Sequence, residues 1–181
     1  MYDLTRNMGW VSVGIDHDTA AFAGNSVRRW WRTMGRSAHR QAKCLLSTAD
    51  AGGSPGTRSR LWKWELQKRA DQTRLSMAVC HFPPGTSNWN KLEHRLFSFI
   101  SQPWRGRPLV SLAGIVSLIA ATRTSGGLQV RCELDPGRYP EGQTITDEQL
   151  ATLHLERATF HGDWNSTIHP RHHRRKQSVI S

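Results

Sequence analysis

The chain has 181 residues, 37% hydrophobic and 22% charged, enough for one globular domain with a real core plus a tail. Lys and Arg outnumber Asp and Glu by 25 to 14, giving a formal charge of +11, which points to an anionic partner, most often nucleic acid. The longest apolar stretch, Leu109 to Ala121, falls short of the roughly 20 residues a membrane span needs, so no membrane partner is expected.

Met1-Tyr2-Asp3-Leu4-Thr5-Arg6 has no basic-then-apolar order, so no secretory signal is read there. Cys44, Cys80 and Cys132 are odd in number and lie in strand-like runs without zinc spacing. They read as buried, reduced thiols of a cytoplasmic protein.

In chain order, Trp10 to Ile15 alternates like a strand. Asp18 or Thr19 caps a helix with Ala23, Val27, Trp30, Trp31 and Met34 on one face, closed by Gly35. Arg28, Arg29, Arg32 and Arg36 make its outer side basic. Cys44 to Asp50 is the next strand, followed by a glycine-rich turn from Ala51 to Gly56. A helix from about Thr57 to Arg74 buries Trp62, Leu66 and Ala70.

Leu75 to Phe82 is a strand stopped by Pro83-Pro84, whose rings cannot continue a ladder. The helix carrying Glu93 follows, with Trp89, Leu92, Leu96, Phe97 and Ile100 expected to face inward. A buried helix near Leu109 to Thr122 precedes a strand, Gly127 to Leu134. Thr146 to Gln149 forms a capping box for a last short helix. A basic tail, 169–181, is expected to be disordered beyond a domain spanning 1–168. Strands alternating with helices indicate an α/β layer fold, in which sites collect at strand ends.

Asp50 stands at such a strand end and Glu93 on a helix. Two carboxylates of this kind suit hard divalent ions such as Mg²⁺ or Mn²⁺ in phosphodiester chemistry. By spacing alone the plainer reading is an Asx turn and an exposed helix acid. His81 at the next strand end could touch the scissile phosphate or be structural, and His94 beside Glu93 could contact the DNA backbone. The set His161, His169, His172 and His173 reads as a phosphate-binding tail before a transition-metal site, and Asp16-His17-Asp18 as a helix cap before a metal motif. No Ser/His/Asp or Cys/His arrangement stands out.

Several strings together go further: Val13-Gly14-Ile15-Asp16-His17-Asp18-Thr19-Ala20, Thr48-Ala49-Asp50-Ala51-Gly52-Gly53-Ser54, Cys80-His81-Phe82-Pro83-Pro84-Gly85-Thr86-Ser87, Trp89 through Ile100, and Phe160-His161-Gly162-Asp163-Trp164-Asn165. They resemble the bacterial insertion-sequence DDE transposases of the Rhodopirellula transposase family, over roughly residues 2 to 170. Pro55 and Asn88 depart from that family's Asn and Lys.

The resemblance implies an RNase H-like mixed sheet with flanking helices, here lacking its first strands and with them the first catalytic Asp. It also implies that Asp50 and Glu93 are the second and third acids of the triad, holding Mg²⁺ (or Mn²⁺) for cleavage and strand transfer at insertion-sequence ends. DNA contacts are expected from Arg28, Arg29, Arg32, Lys91, His94 and Arg95. A homo-oligomer or a full-length transposase is the expected protein partner. With one carboxylate absent, activity is expected to be impaired. The alternative is a non-catalytic nucleic-acid-binding remnant or a regulator of transposition.

Overall fold

A computed structural model describes residues 1–52, 55–56, 59–102 and 111–171. The strands fall into two sheets. The first has the order β1-β2-β5, from β1 (Tyr2–Asp3), β2 (Met8–Gly14) and β5 (Gln129–Asp135). The second has the order β3-β4-β7-β6, from β3 (Cys44–Asp50), β4 (Ser76–Phe82), β6 (Leu155–Arg157) and β7 (Asn165–Ile168). β2 runs parallel to β5 and β3 parallel to β4, whereas β1, β6 and β7 pair antiparallel. The mixed α/β architecture expected from the sequence is present, divided between two sheets. β1 and β3 each form an edge.

Helices α1 (Ala20–Trp30) and α3 (Arg60–Thr73) bridge these sheets. Trp10 of β2, Val27 and Trp30 of α1, Trp62, Leu66 and Ala70 of α3, Met77 and Val79 of β4 and Ile168 of β7 share one core. Each helix begins where a hydroxyl satisfies a free backbone N–H: Thr19 accepts from Phe22 and Ser59 from Trp62. Helix α1 does not stop at Gly35 as expected. It loosens into a π-helical segment, Trp31–Gly35, and ends in the short α2 (Arg36–Ala38). Gly35 is buried against the rings of Trp30 and Trp31.

Inside this layer several polar groups are paired, while the ring N–H groups of Trp10 and Trp62 and the Nε of Arg69 are buried without a hydrogen-bond partner among the described residues. Gln67 is fully buried, donating to Asp71 and to the His169 carbonyl and accepting from the His154 N–H. Asp135 ends β5 and ties it to α1. Burial alone would raise its carboxyl, but the Gly137 N–H, the Tyr139 hydroxyl, the Asn25 amide and Arg29 together hold it below the ordinary carboxylate value.

A second core covers the other face of the first sheet: Leu96 and Ile100, Ile119, and Leu128, Val130 and Cys132. It seats a π-helical turn, Glu93–Phe97, continued by α4 (Ser98–Ile100) and packed near α5 (Leu112–Ala120). The short α6 (Asp147–Ala151) carries the expected capping box between Thr146 and Gln149.

Several expectations are corrected. Trp89, in the 3₁₀ turn before the helix, is exposed, and so is Phe97, because the π turn shifts the spacing and directs only Leu96 and Ile100 fully inward. Helix α5 buries only Ile119 and leaves Leu112 exposed, and the start of the apolar run, 109–110, lies outside the described residues. Cys44 is exposed on the edge strand; Cys132 is buried, and burial with the neighbouring Glu133 pushes its thiol up to about 11. His169 donates its N–H to the His154 carbonyl, and Arg171 forms an ion pair with Asp71, so the described part of the tail lies against α3. Among the described residues no helix is long and apolar enough to cross a membrane.

Candidate carboxylate site

Asp50 is the last residue of β3 and lies opposite Phe82 in the parallel register. Both strands therefore release their loops at one end of the sheet. β4 continues through a single 3₁₀ turn, Ser87–Trp89, and Asn90 into the turn that begins with Glu93. Leu96 settles that turn against β2: a Cβ on Gly9 would stand 2.5 Å from a Leu96 methyl carbon. Only a glycine permits so close an approach of helix to strand.

Asn90 connects the two halves of the site. Its amide nitrogen lies 3.5 Å from an Asp50 carboxylate oxygen, at the limit of a hydrogen bond, and its own carbonyl oxygen accepts from the Leu92 N–H. The side chain that orients Asp50 thus also caps the turn bearing Glu93. Asp50 is half-buried and Glu93 exposed. Asn90 was not singled out by sequence reasoning; its signal was a short amide at the entry to a helix, a cap position.

His81 faces Ala49, the residue before Asp50, across the strand pair. Its Nδ1 lies 2.9 Å from the Trp164 carbonyl oxygen and its Nε2 2.7 Å from that of Pro55. Carbonyl oxygens only accept, so the neutral ring donates to one and the imidazolium to both. His81 therefore ties the turn after Asp50 to the start of β7. Pro55, one of the departures noted in the sequence, contributes its carbonyl here.

The basic residues separate into two groups. Arg29 turns inward, to Ser12, Glu133, the Leu134 carbonyl and Asp135, with its guanidinium carbon 5.7 Å from the Trp10 ring centre. Arg28 is half-buried and donates to Asn25. Arg32, Lys91, His94 and Arg95 are exposed. His94 also approaches the Asn88 carbonyl through Nε2 at 3.1 Å.

The other motifs resolve structurally. Asp16 accepts from the Tyr139 N–H and pairs with His17, while Thr19 supplies the helix cap. His161 stacks on Trp164, and His169 lies between Ser76 and Glu156; His172 and His173 lie outside the described residues. Among the described residues no three metal-ligating side chains gather in one place. Those residues include all 14 Asp and Glu of the chain.

Asp50 and Glu93 are oxygen donors of the kind that Mg²⁺ takes from proteins, one or two carboxylates with water and phosphate completing its shell. Comparison with curated proteins and with solved structures yields no match. The sequence profile of the Rhodopirellula transposase DDE domain matches residues 1–170, and the chain belongs to that family of DDE transposases.

Proposed function

We propose that the chain acts in DNA transposition through Asp50 and Glu93, on insertion-sequence ends, with cleavage weakened by the lack of a third carboxylate. The observation that carries this reading is the Asn90 bridge, which joins the end of β3 to the turn bearing Glu93. When bound, a divalent ion would polarise the scissile phosphate and activate the attacking oxygen. Asp50 and Glu93 would hold it, and Asn90 would orient the Asp50 carboxylate. Exposed Arg32, Lys91, His94 and Arg95 would receive the flanking phosphates. Arg28 and Arg29, proposed with them from the sequence, would act mainly by shaping α1.

Impairment is supported by the lack of any group of three metal-ligating side chains among the described residues and by the edge positions of β1 and β3 in their sheets. A strand edge without a partner leaves N–H and C=O groups unpaired. The exposed Leu46 on β3, at 65%, adds apolar surface there. A second copy or a full-length transposase is the protein partner proposed.

The test is nicking of supercoiled DNA with Mg²⁺ or Mn²⁺, alongside Asp50→Ala and Glu93→Ala. We expect at most weak nicking, lost in both variants, with DNA binding kept by all three proteins. Efficient cleavage abolished by either substitution would refute the impairment and show a complete site. Nicking that survives both substitutions would refute the assignment of the two carboxylates. A second reading, a non-catalytic DNA-binding regulator, rests on the exposed cations alone; it holds if binding persists and no cleavage is found.

A further inference from the structure

The hairpin between β6 and β7 carries a cluster of three rings, Phe160, His161 and Trp164. Phe160 is 75% exposed at its tip, although it is large and apolar. It stands edge-on to His161 with ring centres 4.2 Å apart, and His161 stacks on Trp164 at 5.7 Å and 20°. The loop that holds them is well tied. His161 adopts a positive φ of 48°, its carbonyl accepts from the N–H groups of Trp164 and Asn165, and Asn165 donates its side-chain amide to the Phe160 carbonyl. A Cβ on Gly162 would lie 2.6 Å from the Ala158 carbonyl oxygen, so the turn is closed tightly.

Trp164, the inner ring of this cluster, also lines a cleft of about 310 Å³ with Lys63, Arg157, Asp163 and Ser166. Arg157 pairs with Asp163 in a solvent-exposed contact of 2.6 Å. The Lys63 ammonium makes no ion pair among the described residues. Burial first, then Arg157, lower its pKa; Asp163 opposes this and Arg60 adds to it. The cleft thus holds two cations, Lys63 and Arg157, against one carboxylate, Asp163, beside the Trp164 ring.

Its location relates it to Asp50. His81 bonds through its backbone N–H and its ring to the Trp164 carbonyl, and β7 starts where β3 and β4 end. With strands about 4.8 Å apart, Trp164 lies two strands from Asp50, roughly 10 Å away.

We infer that this hairpin tip binds an unpaired nucleotide of the DNA substrate, its base stacked on Phe160 and its phosphate in the Lys63–Arg157 cleft. The inference rests on the DNA-acting reading above and adds a single-strand subsite to it. Aromatic faces accept any base, so the subsite would sense strand opening and not sequence.

The test is the affinity of the full chain for a short blunt duplex, for the same duplex with a few unpaired nucleotides, and for that extension made abasic. The wild type should prefer the unpaired extension by about ten-fold, the scale of one stacked base, and the abasic extension should lose that preference. Phe160→Ala should remove it with blunt-duplex affinity unchanged, Phe160→Trp should keep it, and Lys63→Gln should reduce it. Equal affinity of the wild type for blunt and extended duplexes, or an unaltered preference in Phe160→Ala, would overturn the subsite while leaving duplex binding standing. Failure of the wild type to bind any of the three would overturn both.

Discussion

The layer formed by α1 and α3 and the end of the second sheet around Asp50 use the same residue types in opposite ways. In the helical layer charges close on one another: Arg29 on Glu133 and Asp135, Arg69 on Glu65, Arg171 on Asp71. At the Asp50 end the Asp50 carboxylate meets one amide, that of Asn90, and Glu93, Lys91 and Arg95 are exposed. Pairing inside a core satisfies groups that burial would otherwise penalise. Leaving charges open forgoes that stabilisation and keeps them available for ions and phosphates. The contrast separates the residues that hold the fold from those that meet a substrate.

The largest expected effect tests how the two regions are joined. Leu96 is fully buried in the core that seats the Glu93 turn. Leu96→Ala should cost about 2–5 kcal/mol, the usual range for a buried leucine, measured by urea denaturation. Asp50→Ala should fall within about 0.5 kcal/mol of wild type, as expected of a substitution outside the packed core. A large loss in Asp50→Ala would mean that its carboxylate supports the fold, and would blur the contrast.

A smaller effect concerns acid stability. The Asp135 carboxyl is held below its ordinary value in the fold, so its contribution is present above the unfolded value near 4 and is lost as pH falls through the folded value. Tyr139 donates one of the hydrogen bonds that hold it there. Tyr139→Phe should cost about 1–2 kcal/mol at neutral pH, with the gap from wild type narrowing below about pH 4. Denaturation at a series of pH values would show this; a gap that is constant with pH would rule out the linkage.

The smallest effect on stability is expected at the exposed cations. Lys91→Gln and Arg95→Gln should leave unfolding unchanged and each weaken DNA binding alike for all sequences, lowering the slope of log affinity against log salt by about 1. Salt titration by fluorescence anisotropy would measure it. An unchanged slope would place the DNA on another face.

Much of this was legible in the residues. The strands around Trp10, Cys44, Ser76 and Gln129 follow from period-two alternation, α3 from its Trp62, Leu66 and Ala70 seam, and α6 from its capping box. Asp50 and Glu93 were identifiable as strand-end and helix-start acids because both boundaries are locally encoded. β6 and β7 were not read, since three- and four-residue segments carry too little periodicity and form only by pairing, β7 on β4 and β6 on β7. The π turns at Trp31 and Glu93 were also hidden: one extra residue per turn changes which side chains face inward, and packing selects it.

The sequence by itself determined the charge, the main elements and the family, because these rest on composition, local pattern and contiguous motifs. Tertiary structure decided which arginines face inward, how Asn90 links Asp50 to the Glu93 turn, and that Trp164 and Lys63 line one cleft. Those relations join residues tens of positions apart, through strand register and helix packing that no short stretch of chain encodes.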